Sequence, residues 1–109
     1  GAPLYERVAR NVFEHWNKND NCALVVGATN PKQMERVRSL VGDMPFLVPG
    51  VGAQGGDVAA LLKAGLTEAK SGLVINSSRG IIFSSVEEDY AQKAREAAIA
   101  LRDEINLYR

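Results

Sequence analysis

Two short stretches of this 109-residue chain place glycines and polar side chains in a pattern suited to gripping an anion. The first, PGVGAQGGD over residues 49–57, holds four of the ten glycines within seven positions, together with a neutral amide donor, Gln54. Glycines let backbone N–H groups come close to an oxyanion, and a helix beginning just beyond adds partial positive charge at its first turn. The second stretch, NSSRG over residues 76–80, offers the planar fork of Arg79, which suits a phosphate, with Ser77 and Ser78 as further donors. Two such loops after consecutive strands are the arrangement with which (β/α)8 barrels bind phosphate at the carboxyl ends of their last two strands. The plainer alternative has the glycines serving turns and Arg79 pairing with a surface carboxylate. That alternative leaves the juxtaposition of two anion-suited loops to coincidence.

Residues 50–55 also spell G-x-G-x-x-G between a strand and a helix, which raises a dinucleotide site. Such a site needs an acidic residue about 20 positions on, at the end of the next strand. LVINSSR over 73–79 supplies none, and Pro49 stands at the strand's mouth. Other candidates are weak. His15 sits beside Trp16 without a Ser, Cys or acidic partner at triad or metal spacing, and Cys22 is alone in the apolar run CALVV, where a buried structural role is expected. The lysines are scattered over polar faces, and EED over 87–89 reads as the start of a helix. No metal site and no cofactor is expected.

These loops need strands to carry them and helices to follow. Apolar runs at 23–26, 46–48 and 73–76 alternate with helical patterns, and a further helix precedes them, so the order α-β-α-β-α-β-α predicts an α/β fold with a parallel sheet. The first helix opens at Pro3 and puts Leu4, Val8, Val12 and Trp16 on one stripe. Asn30 and Pro31 begin the second helix, with Met34, Val37 and Leu40 inward and a stop at Gly42. Asp57 caps the third, with Val58, Leu61 and Leu62 inward and Gly65 at its end. Ser85 and Glu88 form a capping box for the last helix, whose inner stripe is Tyr90, Ala94, Ala97, Leu101 and Ile105.

Composition bounds the partners. The chain is 46% apolar and 24% charged, as in one globular unit. Thirteen basic side chains balance thirteen acidic ones, which argues against a nucleic-acid partner held by counterion release. No apolar run approaches the roughly 20 residues that span a bilayer, and the amino terminus lacks a signal-peptide core, so no membrane partner and a cytoplasmic location are expected.

The strings LVPGVGAQGGD (47–57), VVGATNP (25–31) and NSSRGI (76–81) resemble the carboxyl-terminal part of orotidine 5′-phosphate decarboxylases of the longer-chain bacterial branch. The likeness runs along essentially the whole chain. It implies a partial (β/α)8 barrel over residues 1–109, one helix plus three βα units standing for strands six, seven and eight. It also implies a role in converting orotidine 5′-monophosphate to uridine 5′-monophosphate and CO2. By this resemblance Gln54 and Arg79 hold the 5′-phosphate, Ser78 offers it a backbone N–H, and Pro49, Gly50, Val51, Gly52 and Ala53 form the loop that covers the ligand. The family's D-x-K-x-x-D catalytic array is absent, since Asp20, Asp43, Asp57, Asp89 and Asp103 have no lysine two positions later. The expectation is a carboxyl-terminal portion, with Gly1 and Ala2 a cloning remnant, that assigns no catalytic residue and does not decarboxylate alone. A non-catalytic phosphate- or nucleotide-binding α/β module is the alternative.

Three strands cannot close a barrel, which typically takes roughly 250 residues. The outer strands would then present unpaired edges, and inward side chains drawn from Leu24, Val26, Leu47, Leu73 and Ile75 would lose cover. The chain is therefore expected either to need the missing amino-terminal part of the barrel or to self-associate through its strand edges.

Overall fold

The computed structural model describes residues 1–52 and 57–109. Helix α1 (Leu4–Asn11) continues into a π-helical turn (Val12–Trp16) and leads to β1 (Leu24–Val25). There follow α2 (Pro31–Val41), β2 (Phe46–Val48), α3 (Val58–Gly65) and β3 (Leu73–Ile75). A short helix, α4 (Ser78–Ile81), and the long α5 (Tyr90–Asn106) complete the chain. The strands are parallel in the order β1-β2-β3, as the alternation predicts.

Local chemistry accounts for the helix starts. The Asn30 side chain accepts from the Gln33 N–H at 3.2 Å, Pro31 occupies the first helical position, and Asp57 accepts from the Ala60 N–H at 3.2 Å. Met34, Val37 and Val41 of α2 and Val58, Leu61 and Leu62 of α3 close over Phe46 and Val48. A Cβ on Gly65 would lie 2.6 Å from the Met34 sulfur, so any larger residue there makes the buried Met34 side chain shift.

Register decides what the other side of the sheet presents. Val25 pairs with Leu47 and Leu47 with Val74, so these three form one row across the face turned away from the helices. They are 70%, 40% and 59% exposed, whereas Phe46 and Val48 on the opposite face are fully buried. Of the side chains expected to lose cover, only Leu47 does so; Leu24, Val26, Leu73 and Ile75 pack on the helix side. Among the described residues the cover of the sheet lies on one face, and the molecule is extended. Its radius of gyration is 15.4 Å, against about 13 Å for a compact chain of this length.

Two helix expectations need correction. In α1 the buried positions are Glu6 and Ala9, followed by Val12, while Leu4, Val8 and Trp16 are exposed. Glu6 turns inward because Arg36 of α2 meets it with two hydrogen bonds of 3.1 Å, a bidentate pair between side chains 30 positions apart. In α5 the cap position is Asp89, and Ser85 is spent instead on the Asp89 carboxylate at 2.6 Å and the Glu87 N–H at 3.1 Å. Ala94, Ala97, Leu101 and Ile105 are half-buried as expected, but Tyr90 is exposed.

Candidate functional site

The carboxyl ends of β2 and β3 lie side by side, so the loops that leave them meet. The Asn76 N–H donates to the Val48 carbonyl at 3.3 Å, and the Ala28 N–H to that of Pro49 at 3.0 Å, which fixes all three strand exits together. Beyond β2 the chain bends at Pro49 and passes Gly50 and Gly52, with φ of 88° and 79°, where a side chain would be strained. Val51 between them is buried. Beyond β3 the chain passes Asn76 and enters α4, whose first turn leaves the N–H groups of Ser78, Arg79 and Gly80 without intrahelical acceptors.

Pro49, Gly50 and Val51 from one loop and Asn76, Ser77, Ser78 and Arg79 from the other line a hollow of about 160 Å³. That volume suits a tetrahedral anion with its nearest hydration, and the donors around it are neutral amides and hydroxyls plus one guanidinium. Arg79 is exposed, and among the described residues it makes no ion pair or hydrogen bond. The Ser77 hydroxyl donates to the Val51 carbonyl at 3.3 Å and so joins the two loops. The structure thus brings Arg79, Ser78, Pro49, Gly50 and Val51 to one hollow, with Gly52 next in the chain; Ala53 and Gln54 lie outside the described residues.

A second arginine stands at the opposite end of the strands. Arg38 donates to the carbonyls of Gly65 (2.8 Å), Gly42 (2.8 Å), Met44 (2.6 Å) and Gly72 (3.2 Å). Its guanidinium carbon also sits 3.7 Å from the centre of the Phe46 ring. Burial pulls its pKa down while Asp43 pushes it up, and the group stays charged. Arg38 gathers the ends of α2 and α3 and the entries to β2 and β3. Nothing in its sequence neighbourhood marks it out, because its four acceptors come from three separate turns.

The remaining candidates are structural. Asp57 is committed to its cap. His15 is exposed, with its neighbour Glu14 at 3.8 Å. Cys22 is half-buried with its thiol 3.6 Å from the Trp16 carbonyl. Among the described residues no group of three or more His, Cys, Asp or Glu side chains could hold a metal, and no helix is long and apolar enough to cross a membrane. Two larger hollows, of about 580 and 410 Å³, flank the sheet: one is lined mainly by apolar residues such as Leu4, Val8, Leu24 and Val25 beside β1, the other by Leu73, Ile75 and Leu101 together with Lys70, Arg102 and Arg109 beside β3.

No family model matches the chain. Among curated proteins, orotidine 5′-phosphate decarboxylases of Cellvibrio japonicus and Azoarcus are 58% and 60% identical to it over all 109 residues. The chain spans 40% of the length of these relatives, in their carboxyl-terminal part. Among solved structures, the UMP synthase of Leishmania donovani superposes with a TM-score of 0.87 at 46% identity, over 96% of this chain and 22% of that one. The OMP decarboxylase of the same organism gives 0.85 at 42% identity, over 98% and 39%. The chain is therefore similar from end to end to part of the orotidine 5′-phosphate decarboxylases, a carboxy-lyase family, and its α/β fold is that of a partial (β/α)8 barrel.

Proposed function

We propose that this chain supplies the 5′-phosphate grip of an orotidine 5′-phosphate decarboxylase. The observation that carries the reading is the hollow between the β2 and β3 exits, where a glycine loop meets an arginine with no protein partner among the described residues. In this reading the Arg79 fork holds the phosphate dianion, Ser78 contributes its backbone N–H, and Gln54 adds its side-chain amide. Pro49, Gly50, Val51, Gly52 and Ala53 cover the ligand. A dianion held away from the reacting carbon supplies binding energy that is used to lower the barrier where bonds break. Loss of CO2 and its replacement by a proton fall to groups outside this chain, since none of its aspartates opens the D-x-K-x-x-D array. Alone it neither holds the nucleotide tightly nor turns it over.

Residues 1–109 are then the phosphate-binding part of a barrel, and their partner is the rest of that barrel. The uncovered row Val25, Leu47, Val74 and the mainly apolar hollow beside β1 support this partner. Where it is absent, self-association through the strand edges pairs the open backbone groups of β1 and β3 while the face row stays bare. A stable monomer in sedimentation at micromolar concentration would count against the need for either partner.

The test is an exchange. This chain, put in place of the matching 40% of a curated relative, is expected to give an enzyme that decarboxylates orotidine 5′-monophosphate, whereas the 109-residue chain alone is not. An inactive joined enzyme would count against this reading, and tight uridine 5′-monophosphate binding by the unaided chain would replace it with that of a self-sufficient nucleotide-binding module.

A further inference from the structure

We propose that Ser77 is a positioning residue for the phosphate grip, tying the glycine loop to the turn that presents Arg79, and that residue 80 is glycine to keep this tie intact. The inference rests on the phosphate reading above and names a residue that the reading itself leaves idle. Ser77 stands at the cap position of α4, where a serine hydroxyl ordinarily accepts from the helix's own N–H groups, yet it makes no such bond. Its hydroxyl is turned across to the neighbouring loop, 26 positions earlier in the chain, and donates to the Val51 carbonyl at 3.3 Å.

The acceptor side of that bond is buried and the donor side is crowded by residue 80. Val51 is 2% exposed and so held by the core, and a Cβ on Gly52 would have the Ser77 Oγ as its nearest neighbour, at 4.0 Å. On the other side, a Cβ on Gly80 would come within 2.7 Å of the Ser77 Oγ but stay 4.0 Å from the Ser77 Cβ. The obstruction is therefore the hydroxyl alone. A side chain at position 80 forces the Ser77 χ1 to another well, and the bond to Val51 goes with it. Arg79 lies between the two residues in sequence and lines the same hollow as Val51. Freeing the hydroxyl thus lets the two walls of the hollow drift relative to each other. Small misplacements of a gripping group are costly because the grip depends on convergent geometry.

Steady-state kinetics of the joined enzyme on orotidine 5′-monophosphate, and on orotidine, which lacks the phosphate, test the proposal. Ser77→Ala is expected to lower kcat/KM about tenfold on the phosphorylated substrate, the order expected for one hydrogen bond, and to leave orotidine unchanged. Gly80→Ala should lower it as much, and the Ser77→Ala/Gly80→Ala double variant no further than Ser77→Ala alone, because the clashing hydroxyl is gone. Equal losses on both substrates would make Ser77 a purely structural residue, and additive losses would separate Gly80 from it; either result overturns the proposal. Arg79→Ala serves as the reference. If it has no effect, the phosphate reading falls first, and if it acts while Ser77→Ala does not, only the present inference falls. Should Ser77→Ala not fold, Gly80→Ala carries the same two-substrate comparison with the serine in place.

Discussion

Arg38 and Arg79 stand at opposite ends of the same three strands and have opposite fates. At the entering end, Arg38 is half-buried, stacked on Phe46 and donates to four backbone carbonyls, so its fork is used up in holding turns together. At the exiting end, Arg79 is exposed beside a hollow whose other wall is a glycine loop. The difference is one of surroundings: carbonyl oxygens left over at helix ends satisfy the first guanidinium, while the second faces backbone and hydroxyl donors that an anion would satisfy together with it. In (β/α)8 barrels the loops at the carboxyl ends of the strands carry the site, while the opposite end serves stability.

Exchanging the two effects would break that comparison. Arg79→Ala in the joined enzyme is expected to cost about 4 kcal/mol in kcat/KM on orotidine 5′-monophosphate, with unfolding changed by no more than about 0.5 kcal/mol. A loss below about 1 kcal/mol, roughly fivefold, would remove Arg79 from the grip. Arg38→Ala should do the reverse. It strands carbonyls and removes a stacked cation, and is expected to lower the unfolding free energy measured in urea by about 3 kcal/mol. Its kcat/KM, corrected for the folded fraction, should stay within about twofold of the parent, a difference of roughly 0.4 kcal/mol.

The two faces of the sheet sharpen the contrast further. Val48→Ala, on the helix-covered face, is expected to cost about 2 kcal/mol in the chain alone. Val74→Ala, on the bare face, should cost under about 0.5 kcal/mol there and approach the Val48 value only in the joined enzyme, where barrel side chains cover it. Equal costs in both settings would mean that nothing docks on this face.

Much of this was legible in the sequence because it is local. Strand β2 lies where its apolar run and flanking prolines put it, and the Asn30 and Asp57 caps are read from residue type and offset alone. The parallel sheet follows from alternation, and the hollow follows from consecutive strands ending in loops of matching chemistry. What escaped depends on partners far along the chain. The face of a strand that turns bare is set by register with its neighbours, and Arg38 is marked only by acceptors on separate turns. The start of α5 moved because Ser85 found the Asp89 side chain, a competing local bond that the capping-box pattern does not weigh.

The apolar stripe of α1 failed for a reason that yields the smallest of these effects and the most specific signature. Hydropathy puts Leu4, Val8 and Trp16 inward, yet the carboxylate of Glu6 is buried, because Arg36 supplies two hydrogen bonds that replace its water. Those bonds hold the Glu6 carboxyl below the ordinary carboxylate range, against the opposing effect of its own burial, with Arg36 and Arg10 charges and the Tyr5 hydroxyl adding to the lowering. A carboxyl whose pKa is lower folded than unfolded binds fewer protons in the native state, so its contribution is complete above the unfolded pKa and disappears as pH falls through the folded one. Urea midpoints of the parent and of Glu6→Gln are therefore expected to differ at neutral pH and to converge below the ordinary carboxylate range. A gap that persists at low pH would assign the role of Glu6 to shape, and the register of α1 on α2 would then owe nothing to charge.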